Sequence, residues 1–209
     1  AMREMGEQFV LGRNIGEAVK RGRSLVEKGY LYSYDMLGEA ARTEEDAQRY
    51  LRAYAKAIAE LKPHASHDDI RRNPGISVKL SAIHPRYEQA QRETMLPEMA
   101  ERLLGLCQAA KAARMGLNID AEEADRLDLS LDVIERVLSD PSLVGWDGFG
   151  VVVQAYGKRC PFVIDSIVDL ARRADRRIMV RLVKGAYWDT EMKRAQVEGL
   201  PDFPLFTSK

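Results

Sequence analysis

The chain has 209 residues, of which 45% are hydrophobic and 31% are charged, a composition typical of a soluble globular protein with a sizeable core. Its 32 basic residues balance 32 acidic ones, so net charge favours neither nucleic acid nor an anionic membrane as a partner. Two cysteines, Cys107 and Cys160, are too few for a disulfide framework and favour a reducing compartment. With no apolar run near the roughly 18 residues of a membrane span and no hydrophobic amino-terminal signal, we expect a cytoplasmic protein.

The first predicted element is a lone helix over residues 6–28, whose apolar positions, among them Phe9 and Val10, share one face until Gly29. A short strand at 30–32 follows it and leads into Tyr34 and Asp35. A second helix begins at Thr43 and keeps helical spacing of apolar residues up to Pro63. This opening therefore predicts a helix, then a strand, then a helix.

Strands and helices then alternate regularly along the rest of the chain. The predicted strands lie at 76–80, 116–119, 148–153 and 177–183, and the helices at about 96–110, 125–138, 161–174 and 188–198. The strands are nearly continuous apolar runs, which is typical of strands buried on both faces. The alternation therefore indicates a parallel sheet covered by helices.

Each of the five predicted strands ends in polar or charged residues. They are Tyr34 and Asp35, Lys79, Asp120, Gln154, and Arg181 with Lys184. In a closed barrel all carboxyl strand ends converge on one face, whereas a doubly wound sheet gathers its ligand at one switch point. We therefore predict an α/β fold, a (β/α)₈ TIM-type barrel. Since a complete barrel takes about 250 residues, residues 30–209 are expected to supply only about five βα units, after a leading helix at 1–29.

The stretch 181–189 concentrates candidate functional residues where the last strand turns into a helix. Gly185 would let backbone N–H groups approach a flavin or phosphate, and the start of the following helix favours an anion. A plain strand-to-helix turn, with Asp189 as a helix cap and Trp188 as a packing residue, explains the same residues. Arg181 and Lys184 are expected to point to opposite sides, so at most one enters the barrel.

Lys79 and Asp120 end neighbouring predicted strands. A lysine there is suited to anchor a carboxylate, to form a Schiff base, or simply to pair with Asp120. His64 and His67 have no third ligand at a diagnostic spacing, so we expect no metal site, and His84 either acts near the rim or packs its loop. No GxGxxG or GxxxxGK[ST] motif occurs and no Ser/His/Asp order stands out, which disfavours Rossmann enzymes, P-loop enzymes and classical hydrolases.

Four motifs resemble, in order and spacing, those of the proline dehydrogenase domain of the bifunctional proline utilization A flavoenzymes. They are 75–87 (Gly-Ile-Ser-Val-Lys-Leu-Ser-Ala-Ile-His-Pro-Arg-Tyr), 118–126 (Asn-Ile-Asp-Ala-Glu-Glu-Ala-Asp-Arg), 154–161 (Gln-Ala-Tyr and Lys-Arg-Cys-Pro) and 181–189 (Arg-Leu-Val-Lys-Gly-Ala-Tyr-Trp-Asp). Residues 32–39 agree as well, so the resemblance covers nearly the whole chain. It implies a (β/α)₈ barrel that holds non-covalent FAD and oxidises L-proline to pyrroline-5-carboxylate by hydride transfer, in proline catabolism.

The resemblance also implies roles for individual residues. Lys79 would pair with the proline carboxylate, Asp120 would be the catalytic-site carboxylate, Arg181 would contact the flavin near its reactive nitrogen, and Tyr187 would pack near the substrate. The residues implied to bind FAD are Ala121, Gln154, Arg181, Lys184, Gly185, Ala186 and Trp188. Glu39 would pair with one of two arginines of a later barrel helix, which these 209 residues do not contain.

The implied partners are L-proline, a quinone-type electron acceptor, the remaining barrel units and an aldehyde dehydrogenase domain in the parent protein. Peripheral contact of that parent with the inner membrane is a further implication, and no nucleic acid is expected to bind this segment. Full activity of these residues alone is not expected. Two alternatives stay open: a Schiff-base barrel lyase or aldolase that uses Lys79 or Lys184, and an inactive fragment whose exposed edges need a partner.

Overall fold

A computed structural model describes residues 10–36 and 38–208. The strands in this part of the chain are β1 (Ser33–Asp35), β2 (Gly75–Val78), β3 (Gly116–Ile119), β4 (Phe149–Gln154) and β5 (Met179–Val183). The α-helices are α1 (Ile15–Val26), α2 (Glu44–Leu61), α3 (Leu80–Ile83), α4 (Arg92–Ala112), α5 (Leu127–Leu138), α6 (Cys160–Arg173) and α7 (Trp188–Val197). None of the helices in the described ranges is both long and apolar enough to cross a bilayer.

The five strands form one sheet in the order β1-β2-β3-β4-β5, and every neighbouring pair is parallel. A strictly sequential order is that of a barrel, because the strand order of a doubly wound sheet reverses at a switch point. The predicted α/β architecture, a TIM-type barrel present only in part, is therefore confirmed.

The strand register separates an apolar outer face from a small and polar inner face. The outer positions of the central strands are at most 1% exposed: Ile76, Val78, Leu117, Ile119 and Phe149. The inner positions form two rows of residues in register: Gly75 with Gly116, and Ser77 with Asn118 and Gly150. A side chain at Gly150 would overlap the Asn118 amide, since its Cβ would lie 2.0 Å from Oδ1. The inner face therefore leaves room for polar groups.

Strand β5 is the open edge of the described sheet. Val180 and Leu182 are in register with the buried Val151 and Val153, and residues in register on parallel strands share a face. Their exposed fractions are nevertheless 52% and 60%. The outer face of β5 thus carries apolar residues that the described helices leave in contact with solvent.

The predicted helix at 6–28 begins too early. Helix α1 starts at Ile15, because Asn14 is extended, with φ of −151°, and its side chain accepts the Glu17 N–H. An asparagine in that position ends the helical path at an N-cap. Val10 therefore lies outside the helix, and residues 6–9, including Phe9, fall outside the described residues.

Two strand predictions also need correction. The first strand is Ser33–Asp35 rather than 30–32, because pairing of Ser33 with Gly75 decides which residues join the sheet. Tyr30 and Leu31 instead stay exposed before it. The strand predicted to run to residue 80 ends at Val78, and the single-turn helix α3 follows Lys79 directly.

Candidate active site

A charged cluster lies at the carboxyl ends of β1, β2, β3 and β5. The Lys79 Nζ lies 2.9 and 3.0 Å from the two carboxylate oxygens of Asp35 and 3.0 Å from Asp120 Oδ2. The Arg181 Nη2 donates to Asp120 Oδ1 at 3.1 Å and to the Ser77 hydroxyl at 2.8 Å. Each Asp120 oxygen thus faces a different cation. Two cations and two carboxylates make the cluster neutral as a whole.

The backbone of Lys79 is anchored to a buried tyrosine. Its N–H donates to the Tyr54 hydroxyl at 3.3 Å. Tyr54 is 1% exposed, and burial raises the pKa of Tyr54 to about 12. Burial works against the charge of Lys79, but its bonds to Asp35 and Asp120 outweigh burial and raise the pKa of Lys79 above the ordinary 10.5. Lys79 is therefore a protonated, ion-paired cation.

Arg181 and Lys184 take different positions, as their spacing predicts. Arg181 shares the inner face with Ser77, whereas Lys184 follows the last residue of β5 and is exposed. The next residue, Gly185, has φ of +122°, which side chains other than hydrogen rarely tolerate. An added Cβ there would lie 2.4 Å from the ring of Tyr156. The turn after β5 thus packs directly against the ring of Tyr156, for which the sequence predicted no individual role.

The residues after Gly185 lead into helix α7. The Tyr187 N–H donates to the Tyr156 hydroxyl at 3.3 Å, and Tyr187 occupies the N-cap position without a side-chain capping bond. Asp189 lies in the first turn, so its predicted role as the cap is wrong. Trp188 is 40% exposed, and its indole N–H donates to the Phe206 carbonyl. Ala186, another residue implied to bind FAD, is exposed.

The end of β4 is tied to the loop after β3. The Gln154 Nε2 donates to the carbonyls of Ala121 and Glu122 at 3.3 and 3.2 Å. Two residues implied to bind FAD are therefore neighbours through a direct hydrogen bond. For Asp35 the sequence predicts only a polar residue at a strand end, and it predicts no role for Ser77. The alternation of side chains along β1 and β2 places both residues on the inner face and is a signal that could have identified them as site residues.

The histidines do not join the charged cluster. His84 is 6% exposed, its Nε2 lies 3.2 Å from Glu98 Oε2, and its Nδ1 accepts the Arg86 N–H. Burial lowers the pKa of His84, which favours the neutral ring and a packing role for its loop. His64 and His67 are exposed, and within residues 10–36 and 38–208 no group of three or more His, Cys, Asp or Glu side chains is arranged to hold a metal ion.

Comparisons with known proteins extend over the whole chain. The family model for proline dehydrogenase matches residues 18–209. "Bifunctional protein PutA" of Rhizobium meliloti is 61% identical over 210 residues, which cover 100% of this chain and 17% of that protein. The protein of the same name from Klebsiella aerogenes is 56% identical over 209 residues, or 16% of its length. "Proline dehydrogenase 1" of Bacillus subtilis is 27% identical over 180 residues, which are 86% of this chain and 52% of that protein.

Solved structures give the same result. Proline utilization A of Bradyrhizobium japonicum, solved as a mutant, has a TM-score of 0.86 and 55% identity over 95% of this chain and 20% of its own. The Bdellovibrio bacteriovorus protein inactivated by N-propargylglycine has a TM-score of 0.92 and 26% identity over 99% of this chain and 22% of its own. The chain therefore spans about a sixth of the bifunctional relatives, and it belongs to the proline dehydrogenase family, as part of the proline dehydrogenase domain of a PutA protein.

Proposed function

We propose that this chain forms part of the active site of an FAD-dependent enzyme that oxidises L-proline to pyrroline-5-carboxylate by hydride transfer to the flavin, in proline catabolism. The cluster of Lys79, Asp120 and Arg181 carries the proposal, because it gathers a carboxylate anchor and a fixed cation at the strand ends of a family member. The charges are preorganised, which is how such sites stabilise developing charge.

Lys79 suits the carboxylate of proline because it is protonated and held at the rim. Its ammonium group has three donors, and contacts with three carboxylate oxygens engage them. An incoming carboxylate must therefore displace one partner. The Asp35 side chain is 53% exposed, whereas the Asp120 side chain is 16% exposed. We therefore propose that Asp35 yields to the substrate while Asp120 keeps Lys79 in place.

The residues at the ends of β4 and β5 fit a flavin, the cofactor that membership of this family implies. The turn at Gly185 leaves no room for a side chain against Tyr156, and Lys184 and Arg181 supply cations with solvent access. Those proposed to hold FAD are Ala121, Gln154, Arg181, Lys184, Gly185, Ala186 and Trp188. When bound, FAD would supply the hydride acceptor. Arg181, fixed by Asp120 and Ser77, provides positive charge in advance.

The two alternative hypotheses, a Schiff-base lyase and a partner-dependent fragment, receive less support. A Schiff-base lyase needs a neutral amine, and the two carboxylates keep Lys79 protonated. A partner-dependent fragment is compatible with the exposed outer face of β5. The remaining barrel units, an aldehyde dehydrogenase domain and a quinone-type acceptor are proposals that rest on the bifunctional relatives. A cytoplasmic location, with peripheral contact to the inner membrane, is likewise proposed, and it draws on the two free cysteines and the balanced charge.

The proposal is tested by loading the protein with FAD, removing free cofactor and recording the visible spectrum before and after anaerobic L-proline. We expect retained yellow colour that bleaches on addition of proline once the barrel is complete. Lys79→Met should weaken proline binding about 10- to 100-fold, since a charge-assisted hydrogen bond contributes about 1.5–3 kcal/mol. The Lys79→Met protein should retain FAD as well as the wild type does. Lys56→Met, on the exposed face of α2, is the matched control. A colourless complete protein would refute the proposal.

A further inference from the structure

Glu122 is a buried carboxylate that the charged cluster does not use. Its side chain is 4% exposed, although it follows Asp120 by only two residues. The Oε1 accepts the Ser81 N–H at 3.0 Å, and the Oε2 lies 3.5 Å from Arg126 Nη1. Burial raises the pKa of Glu122, while Ser81 and Arg126 oppose this rise and the nearby Glu123 adds to it. A carboxylate is costly to bury, so these contacts need a structural or functional explanation.

The Ser81 contact completes the start of helix α3. Lys79 is the N-cap residue of this helix, but its side chain makes no capping bond, because an ammonium group has no acceptor to offer a backbone N–H. Backbone N–H groups at the beginning of a helix lack partners within the helix. Glu122 supplies an acceptor from the neighbouring loop. The backbone just after Lys79 is thereby fastened to the backbone just after Asp120.

Ser81 also forms hydrogen bonds with the loop after β1. The Ser81 hydroxyl accepts the Ala40 N–H at 3.0 Å, and the Ser81 carbonyl accepts the Ala41 N–H at 2.8 Å. Ala40 has φ of +53°, a conformation that non-glycine residues adopt only when their surroundings hold them there. On the other side, Gln154 donates to the Glu122 carbonyl. Hydrogen bonds through Ser81 and Glu122 therefore connect the loops after β1, β2 and β3 to the end of β4.

We propose that Glu122 is a positioning residue that sets the separation of Lys79 and Asp120 by clamping α3 to the loop after β3. It touches neither member of the pair, but its two anchor points adjoin them in sequence: Ser81 follows Lys79 by two residues, and Glu122 follows Asp120 by two. Without the carboxylate, the first turn of α3 loses its acceptor and the Lys79 ammonium is free to move relative to Asp120. The catalytic consequence of this clamp rests on the proposed function, whereas the clamp itself does not.

The clamp is tested by amide hydrogen exchange on the intact polypeptide that carries these residues. Glu122→Ala should speed exchange at Ser81 by at least about 10-fold, as expected when a net hydrogen-bond contribution of about 1.4 kcal/mol is lost. Exchange at Ala40 and Ala41 should also rise. Glu122→Gln keeps a carbonyl acceptor and should restore slow exchange. If Glu122→Ala does not fold, Glu122→Asp, whose acceptor is one methylene shorter, provides the same comparison.

The matched control is Glu123→Ala, because Glu123 also contacts Arg126, at 3.2 Å, while the bond to Ser81 belongs to Glu122. Unchanged exchange at Ser81 in both Glu122→Ala and Glu122→Asp, or an equal increase in Glu123→Ala, would overturn the proposal. These outcomes need no flavin. They therefore decide the clamp even for a protein that fails to oxidise proline.

A second readout follows the position of Lys79 itself. Acetylation measured by mass spectrometry should be slow at Lys79, whose side chain is 17% exposed, and fast at Lys56, which is 77% exposed. Glu122→Ala should raise labelling of Lys79 several-fold relative to Lys56, and Glu122→Gln should not. In the active enzyme, Glu122→Ala should raise KM for proline more than it lowers kcat, with FAD retention unchanged. Labelling of Lys79 that stays slow in Glu122→Ala would contradict a positioning role.

Discussion

The centre of the sheet and its edge strand β5 differ in how their outer faces are covered. Leu117 on β3 is fully buried, whereas Leu182 on β5 is 60% exposed, although both point to the helical side of the same parallel sheet. Parallel sheets are stable when both faces are covered. The apolar residues of β5 are therefore of the kind that a helix would cover, but the described helices do not cover them. The apolar pattern of a strand alone does not show whether that strand is buried or exposed.

The inner-face side chains differ in the same direction. The Lys79 and Asp120 side chains, over the covered strands, are 17% and 16% exposed, while the Arg181 side chain on the open strand is 42% exposed. Packing beneath β2 and β3 holds the first two in place. The turn after β5 depends instead on backbone conformation at Gly185 and on the ring of Tyr156. Rigid positioning is thus found over the covered strands β2 and β3, and access for ligands at the edge strand β5.

The same leucine-to-alanine change on the central strand β3 and on the edge strand β5 gives the largest contrast. Leu117→Ala should lower the free energy of unfolding by about 2–5 kcal/mol, because it leaves a cavity in a packed core. Leu182→Ala removes the same atoms from an exposed position and should change that free energy by less than about 0.5 kcal/mol. Urea denaturation of both variants measures the difference. Equal losses would mean that the β5 face is covered in solution.

Gly185→Ala tests whether conformation rather than burial fixes the open end. The positive φ and the overlap with Tyr156 should destabilise this turn by about 1–3 kcal/mol from backbone strain. Gly105→Ala is the matched control, because its added Cβ meets no atom within 4 Å and it lies inside helix α4. That control should stabilise the protein by about 0.5–1 kcal/mol. Thermal unfolding and FAD retention report the outcome, and a Gly185→Ala protein that matches wild type in both would contradict the strained turn.

Tyr54→Phe tests the support of Lys79 next to the covered strand β2. The change removes the acceptor of the Lys79 N–H and should lower stability by about 1–2 kcal/mol. Tyr30→Phe, at a tyrosine that is 60% exposed, should change stability by less than about 0.5 kcal/mol. Denaturant titration compares the two variants. Ultraviolet absorbance titrations of wild type and Tyr54→Phe should differ by the ionisation of one phenol, with a midpoint near pH 12.

His84→Gln gives the smallest expected effect, a change in pH dependence. Burial lowers the pKa of His84 below 6.5, so the unfolded chain takes up this proton at higher pH than the folded one. The stability contribution is therefore complete above the ordinary pKa and is lost as pH falls from about 6.5. His84→Gln should flatten that part of the stability curve. An unchanged slope in His84→Gln would contradict the prediction.

The order of the elements and most of the strand ends could be predicted from the amino-acid sequence. Apolar runs and helical spacing are local properties, so the parallel alternation and the positions of Lys79, Asp120 and Arg181 could be read before the structure. The motifs also led to the proline dehydrogenase family, which the comparisons confirmed. The roles of the individual site residues stay predictions, to be tested by the variants above.

Which of these residues contact one another depends on the three-dimensional fold. Arg181 bonds to Ser77 across 104 residues of sequence, and Lys79 pairs with Asp35 across 44. The true start of β1, the acceptor role of Tyr54 and the clamp at Glu122 likewise arise between segments distant in the chain. Such contacts depend on which segments pair and on how the sheet curves, and the spacing of residues within one segment does not specify either.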